Sequence, residues 1–289
     1  MKLRDDQILW PTRVAAGLVV VVLATASWVL YFHPDQTARR FAWTIKPTMT
    51  AMLMGAGYGS AIYFYVQVVT GRRWHRVALG FLPTTAFTWM LAVATILHWS
   101  KFHHGHLAFE LWLWIYAITP FLVPALWLLN RTRDPGTPEE RDAIIPRAIR
   151  TGFLVVGIVL VGLALAMFVW PSKAIRVWPW MLTPLTARAV AGFVVLPAVS
   201  WLVIATDPRW SAARATLQTV SLGIVLLLVA VARAWSEFDR TNPLTWLYVA
   251  GLAGTLGAAV ALSVWMRQRV GASTEPAPEP MSQASPSPG

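Results

Sequence analysis

Cysteine is absent from this chain, and charge is scarce: 13% of its 289 residues are Asp, Glu, Lys or Arg, against about 25% charge in a soluble domain. The first absence excludes disulfides, thiolate metal sites, cysteine-ligated iron–sulfur clusters and covalently attached c-type haem. The second absence is patterned. The middles of the long apolar runs hold no Asp, Glu, Lys, Arg or His. Ion-coupled transport ordinarily leaves a carboxylate or a broken helix at mid-membrane, and hydrolysis inside the bilayer needs acid–base groups, so neither has its residues here. A b-type haem would need two axial histidines on facing helices, and only His98 lies near a helix end. No catalytic motif is visible, and no cofactor is expected.

What the chain has instead is apolar surface, with 56% hydrophobic residues and a mean hydropathy of +0.54. Eight runs stand out: 14–32, 47–69, 77–99, 108–129, 149–170, 185–205, 217–235 and 246–266. Each is long enough to cross a hydrocarbon core of roughly 30 Å as a helix. They are too long and too evenly apolar for barrel strands, which alternate over about ten residues. Backbone groups in lipid must be satisfied internally, so helices remain. The expected fold is an all-α integral membrane protein with eight transmembrane helices, here called spans one to eight. Met1–Arg13 is basic and Ala24-Thr25-Ala26 resembles a signal-peptidase site, but the apolar run continues through Phe32, so span one is expected to be retained.

The formal net charge of +11 sits in the loops, which argues against nucleic acid as a partner and for positive-inside counting. With the amino terminus inside, cytoplasmic segments hold fifteen Lys and Arg residues and external ones nine. Both termini are therefore expected in the cytoplasm. Twenty Arg against four Lys, with abundant Ala, Pro and Trp, suggests a GC-rich bacterium and its cytoplasmic membrane.

The chain repeats itself. Shifted by 137 positions, Pro34, Arg39, Trp43, Pro47 and Gly55 fall on Pro171, Arg176, Trp180, Pro184 and Gly192. Shifted by 136, Thr70, Arg73 and Trp74 meet Thr206, Arg209 and Trp210, and Trp99, Ser100 and Phe102 meet Trp235, Ser236 and Phe238. Trp114-Ile115-Tyr116 then matches Trp246-Leu247-Tyr248 after a four-residue shortening. The alternative is that aromatic, Pro and Arg residues collect at every membrane interface. Four spans per unit implies two parallel four-helix repeats about an axis along the membrane normal. The first covers 1–133, a charged cytoplasmic and water-exposed linker 134–148, the second 149–270; the Pro/Ser-rich tail 271–289 should be disordered.

Two related stretches, "FAWTIKPTMTA" at Phe41–Ala51 and "WPWMLTPLTAR" at Trp178–Arg188, lead back into the membrane. Thr183-Pro184 reads as an N-cap followed by Pro at the first helical position, and the tryptophans are expected at headgroup level. A ligand reading sits beside this structural one. Arg39 with Trp43, and Arg176 and Arg188 with Trp178 and Trp180, would bind a phosphate or carboxylate at the outer leaflet. Arg188, one turn into span six, needs a partner, and Glu237 and Asp239 lie on the same side. In "HWSKFHHGH", His103, His104 and His106 are weak metal candidates, because closely spaced His without Asp or Cys is more often a solvated loop; no metal is expected. Gly55 and Gly59 in span two, and Gly251, Gly254 and Gly257 in span eight, read as helix-packing seams.

The WPW-x-LTPLTAR string, the "LHWSKF" helix end and the following W-x-Y resemble uncharacterised multi-spanning membrane proteins of bacteria. That resemblance covers most of the chain except the tail and implies no activity, cofactor or substrate. Three function classes stay open: a protein binding or passing a lipid or amphiphilic anion, with membrane lipids as partners; an accessory subunit among other membrane subunits; and an interfacial enzyme on a lipid-linked substrate, using Glu237, Asp239 or the histidine loop.

Overall fold

The computed structural model describes residues 5–272 and is about 80% helical, with no strand among them. Eight helices are long and apolar enough to cross a membrane: Trp10–Phe32, Thr48–Thr70, His75–Leu97, Leu107–Arg133, Arg147–Val169, Pro184–Thr206, Trp210–Arg233 and Pro243–Val270. They are the eight expected spans. Span seven begins seven residues before its apolar run, because Ser211 is capped at the interface: its backbone N–H and hydroxyl donate to Asp142 at 2.9 and 2.5 Å. Lys2, Arg4 and almost all of the tail expected to be disordered lie outside the described residues; Gly271 and Ala272 close the last helix.

The spans do not pack as two separate bundles. Span two packs chiefly on spans one and seven, while span six packs on spans five and three. Span four lies against span three and span eight against span seven. Spans two and six thus form the centre, and each half supplies the other with a neighbour. Both ends of the described residues lie at one face, called here the terminal face: Gln7 bridges to Arg73, and Met266 near the end of span eight packs with Ala143 and Ile145.

Local chemistry sets the helix starts. Thr183 caps span six, with the Thr183 hydroxyl accepting from the Thr186 N–H at 3.2 Å and the Thr186 hydroxyl from the Thr183 N–H at 2.7 Å, as the Thr-Pro pair leads one to expect. The matching residue before span two is Lys46, which cannot cap. Glu237 does so from the other half, accepting from the N–H groups of Thr48 and Met49 at 3.1 and 2.7 Å and from the Thr48 hydroxyl at 2.6 Å. A carboxylate at a helix amino terminus also meets the positive end of its dipole.

Span one ends in a π-helical turn, Trp28–Phe32. That turn leaves the Tyr31 carbonyl for the Arg233 guanidinium, which donates to it at 2.8 Å, while the Tyr31 hydroxyl donates to Leu226 O at 2.8 Å. An arginine near the end of span seven is thereby paired without a carboxylate. The turn also presses on span two: a Cβ at Gly55 would sit 2.8 Å from the Tyr31 backbone nitrogen. Gly55 is a true close-packing position. The span-eight glycines are not: at Gly251, Gly254 and Gly257 an added Cβ meets nothing within 4 Å. Those residues leave space where a seam was expected.

Gly55→Ala should therefore destabilise the detergent-solubilised protein by about 1–3 kcal/mol, through overpacking against backbone. Gly254→Ala should be neutral or stabilising by up to about 1 kcal/mol, since it only lowers the helix's conformational cost. Thermal unfolding of both variants checks the contrast; equal losses would contradict the packing described.

Candidate functional site

Two places concentrate chemistry, one polar and one apolar. The polar one lies at the terminal face. His75 is 1% exposed, and both its ring nitrogens meet carboxylates: Nδ1 lies 2.6 Å from Asp6 Oδ2 and Nε2 lies 3.0 Å from Glu139 Oε1. Ser211 Oγ is also 3.1 Å from Nε2. Arg76 holds Glu139 through Nε and Nη2 at 2.7 and 2.6 Å. Arg209, buried, takes Asp134 through two bonds of 2.7 and 2.8 Å and Asp207 at 2.6 Å. The hydrogen bonds from Arg76 hold Glu139 below its ordinary carboxylate value. For Asp134 burial pushes upward, and the Arg209 and Gly136 hydrogen bonds outweigh it, leaving the group low.

In the linker Gly136, Thr137, Pro138, Glu140 and Arg141 are exposed, while Ala143 and Ile145 are buried. Glu139 ties it to Arg73, His75 and Arg76, and Asp134 and Asp142 tie it to Arg209 and Ser211. Its acids find arginines that sequence distance conceals. With ion pairs and a helix cap around it, the cluster forms a clasp holding the amino-terminal segment, the linker and both halves together.

At the opposite face the expected anion site is dispersed. Arg39 and Arg176 are exposed, with no partner among the described residues. Trp43 and Trp180 are 2% and 3% exposed, so they are core residues whose rings face other side chains. Each is enclosed by a ring cluster, Trp43 with Phe102 at 5.2 Å and Trp180 with Phe238 at 5.1 Å, and the Trp180 indole donates to Thr50 Oγ1 at 2.9 Å. Glu237 is spent on capping span two, and Asp239 accepts from Thr241 at 3.0 and 2.6 Å; neither reaches Arg188. Arg188 donates through Nη1 to His98 Nε2 at 2.7 Å and lies over Phe168. Burial, then Arg188 and Lys101, hold the His98 imidazole below its usual value, so it accepts as the neutral base.

The histidine loop is a strap. The His103 N–H donates to Ala42 O at 2.9 Å, and the ring nitrogens of His103 lie 3.2 Å from Phe41 O and 3.2 Å from the Thr44 hydroxyl. His104 Nε2 lies 3.0 Å from Trp99 O, and His106 packs beside His103. No group of three or more His, Asp or Glu suited to a metal ion occurs among the described residues.

The apolar place is a cavity of about 840 Å³ enclosed by spans five to eight and backed by spans two and three. Its walls run along span five from Val156 to Trp170, roughly 21 Å at 1.5 Å per residue. That is about two-thirds of a hydrocarbon core. One end, at Trp201 and Thr216, lies towards the terminal face; the other, at Lys173, Trp178 and Pro179, lies at the opposite face. Val156 and Leu163 of span five and Leu247 of span eight line it and are themselves half-exposed or more, which makes a window towards the surrounding membrane. Gly251 lines it as well, and the side chain it lacks is part of the opening. Between spans one and four a second space is only about 20 Å³, lined by Thr119, Leu122 and Val123 among others.

Three groups at this cavity break the rule that buried polar atoms are paired. Trp178 Nε1, Thr216 Oγ1 and Tyr248 Oη are shielded from solvent and have no hydrogen-bond partner, and all three residues line the cavity. Of the expected site, only Trp178 is there. Lys173, Thr216 and Tyr248 were missed as site residues; the Trp-x-Tyr match and the glycines of span eight were the available signals. Compared with known proteins, the chain matches no family model, no curated protein and no solved structure.

The pH dependence follows from these groups. His98, with its lowered value, favours the folded state above the ordinary histidine range near about 6.5, and that contribution is lost as pH falls through the range. Glu139 and Asp134 are lowered carboxylates, so their contribution persists to more acid conditions and goes below about pH 4. Thermal unfolding between pH 8 and 5 should show a decline that His98→Gln, which keeps an acceptor for Arg188, flattens. An unchanged slope in the variant would contradict the pairing.

Proposed function

We propose that this protein is a cytoplasmic-membrane protein of a bacterium that binds an amphiphile from the surrounding bilayer, with membrane lipids as its partners. The observation that carries this reading is the cavity: about 840 Å³, apolar-walled and open sideways between spans five and eight. Small-molecule sites are typically concave, mostly apolar and of roughly 300–1,000 Å³, with a few placed polar groups. An alkyl chain gains little from leaving lipid for a protein wall. Retention therefore rests on shape and on the polar groups, which suits an amphiphile better than a hydrocarbon.

We further infer an ancestral duplication, giving two parallel four-helix repeats. Paired contacts support it. The bridge Gln7–Arg73 has its counterpart in Ile144–Arg209. Trp74 N–H donates to Asp6 O at 2.7 Å as Trp210 N–H does to Ala143 O at 3.0 Å, and His103 N–H donates to Ala42 O at 2.9 Å as Asp239 N–H does to Pro179 O at 2.9 Å. Asp6 meets the His75 N–H at 3.0 Å as Asp142 meets the Ser211 N–H at 2.9 Å. The exchange of neighbours, span two with seven and six with three, also obeys a two-fold axis. Carrying the Trp-x-Tyr match along the helix puts Thr119 opposite Gly251. A side chain lost at Gly251 is consistent with one space being small and the other large. The excess of Lys and Arg at the terminal face assigns both termini to the cytoplasm.

The test is lipid retention. Purified wild-type protein, washed in maltoside detergent, should carry stoichiometric co-purified lipid by native mass spectrometry. Gly251→Phe, placed where nothing stands within 4 Å, should lower it at least tenfold with the fold intact by circular dichroism. Equal lipid content in both would overturn the reading.

A further inference from the structure

Resting on that reading, we infer that the end of the cavity opposite the terminal face is a headgroup site for a lipid oxyanion, with Lys173, Trp178 and Tyr248 as its recognition residues. The chemistry of the wall is one-sided. Among the described lining residues Lys173 is the one charged group, and no Asp or Glu accompanies it. An indole N–H is a donor only, an ammonium offers three donors and no acceptor, and a phenol donates readily. Trp178 and Tyr248 have ring centroids 6.2 Å apart, so both can address one small acceptor group. An occupant must therefore present oxygen acceptors and negative charge.

Thr216 lies at the far end of the cavity, and four other wall hydroxyls are paired within their own helices. Ser60 donates to Gly57 O at 2.9 Å, Thr84 to Gly80 O at 2.9 Å, Ser200 to Leu196 O at 2.8 Å and Thr219 to Ala215 O at 2.9 Å. Helical Ser and Thr in lipid ordinarily satisfy themselves in this way. Trp43 Nε1, Gln67 Nε2, Arg150 Nε and Arg188 Nε are also unpaired, but none of them lines the cavity; at this end two unpaired donors stand on the same wall as the one cation. A buried polar group without a partner costs about 1–3 kcal/mol, and a bound oxyanion would recover it. Engaging the two donors takes a side-chain movement at the wall, which the open space beside them permits.

Position supports the same assignment. Lys173 is exposed, with Nζ 5.6 Å from the Trp170 ring, at the end of the cavity that span lengths put at the membrane surface. A chain lying down the cavity from there would end near Trp201 and Thr216, roughly 20 Å deeper. Arg176, on the same short helix Pro171–Val177, does not line the cavity, so the cation is Lys173.

Binding of matched C16 probes to the full chain in maltoside separates the possibilities: hexadecyl phosphate, hexadecanoate and hexadecanol, measured by calorimetry. At least one oxyanion should bind tenfold or more tighter than the alcohol; preference for the phosphate alone identifies a lipid phosphate, and equal preference identifies a fatty carboxylate as sufficient. Tyr248→Phe and Lys173→Gln should each cut that preference to threefold or less while leaving hexadecanol affinity unchanged. Trp178→Phe adds a third variant if it folds. Oxyanions no tighter than the alcohol, or a preference that survives both substitutions, would overturn the headgroup site while leaving an amphiphile cavity. Failure of all three probes to bind would remove the amphiphile reading itself.

Discussion

Hydrocarbon does not hydrogen-bond, and almost every polar feature of this protein follows from that. Peptide groups are spent inside eight helices, and wall hydroxyls fold back onto their own carbonyls. Tyr58 and Tyr116 pair hydroxyl to hydroxyl at 2.8 Å in the aromatic core. Even the arginines near the membrane find neutral acceptors: Arg233 takes the carbonyl freed by a π-helical turn, and Arg188 takes an unprotonated imidazole. Seven buried side-chain atoms among the described residues stay unpaired, and three of them belong to residues that line one cavity.

Where water is available, the protein behaves differently. The terminal face is laced by short ion pairs around His75 and Arg209, and these join segments far apart in sequence. Removing one partner from such a network is costly, because it strands a charge in a partly buried place. The clasp thereby fixes the ends of spans two, three and seven, and the cavity walls that continue from them. The polar cluster and the apolar cavity are thus parts of one frame.

The sequence made the architecture legible because it is written in long periods and rare residues. Eight runs became eight spans, Thr183 became a cap, and Gly55 became a close approach. What it concealed depended on partners distant along the chain. Nothing near Glu237 says that its carboxylate caps span two, because the need arises from Lys46, where the second half has Thr183. Trp43 and Trp180 follow interface statistics in sequence, yet ring clusters from their own halves bury them. The glycines of span eight look the same whether they admit a neighbouring helix or leave a gap; only the absence of an opposing atom distinguishes the two. The opening stretch of span six contributed one true cavity residue, Trp178, since its neighbours on the wall come from Lys173 before it and from Tyr248 seventy residues later.

The space between spans one and four, lined by Thr119 and Leu122, is small, whereas the one between spans five and eight, lined by Gly251, is large. The most direct measurement is an experimental structure of the protein in a nanodisc of its native membrane lipids. An elongated density between spans five and eight, with its polar end beside Lys173 and Tyr248, is the expected result. Span eight packed flush against span five, with no space between them, would contradict the account at its root.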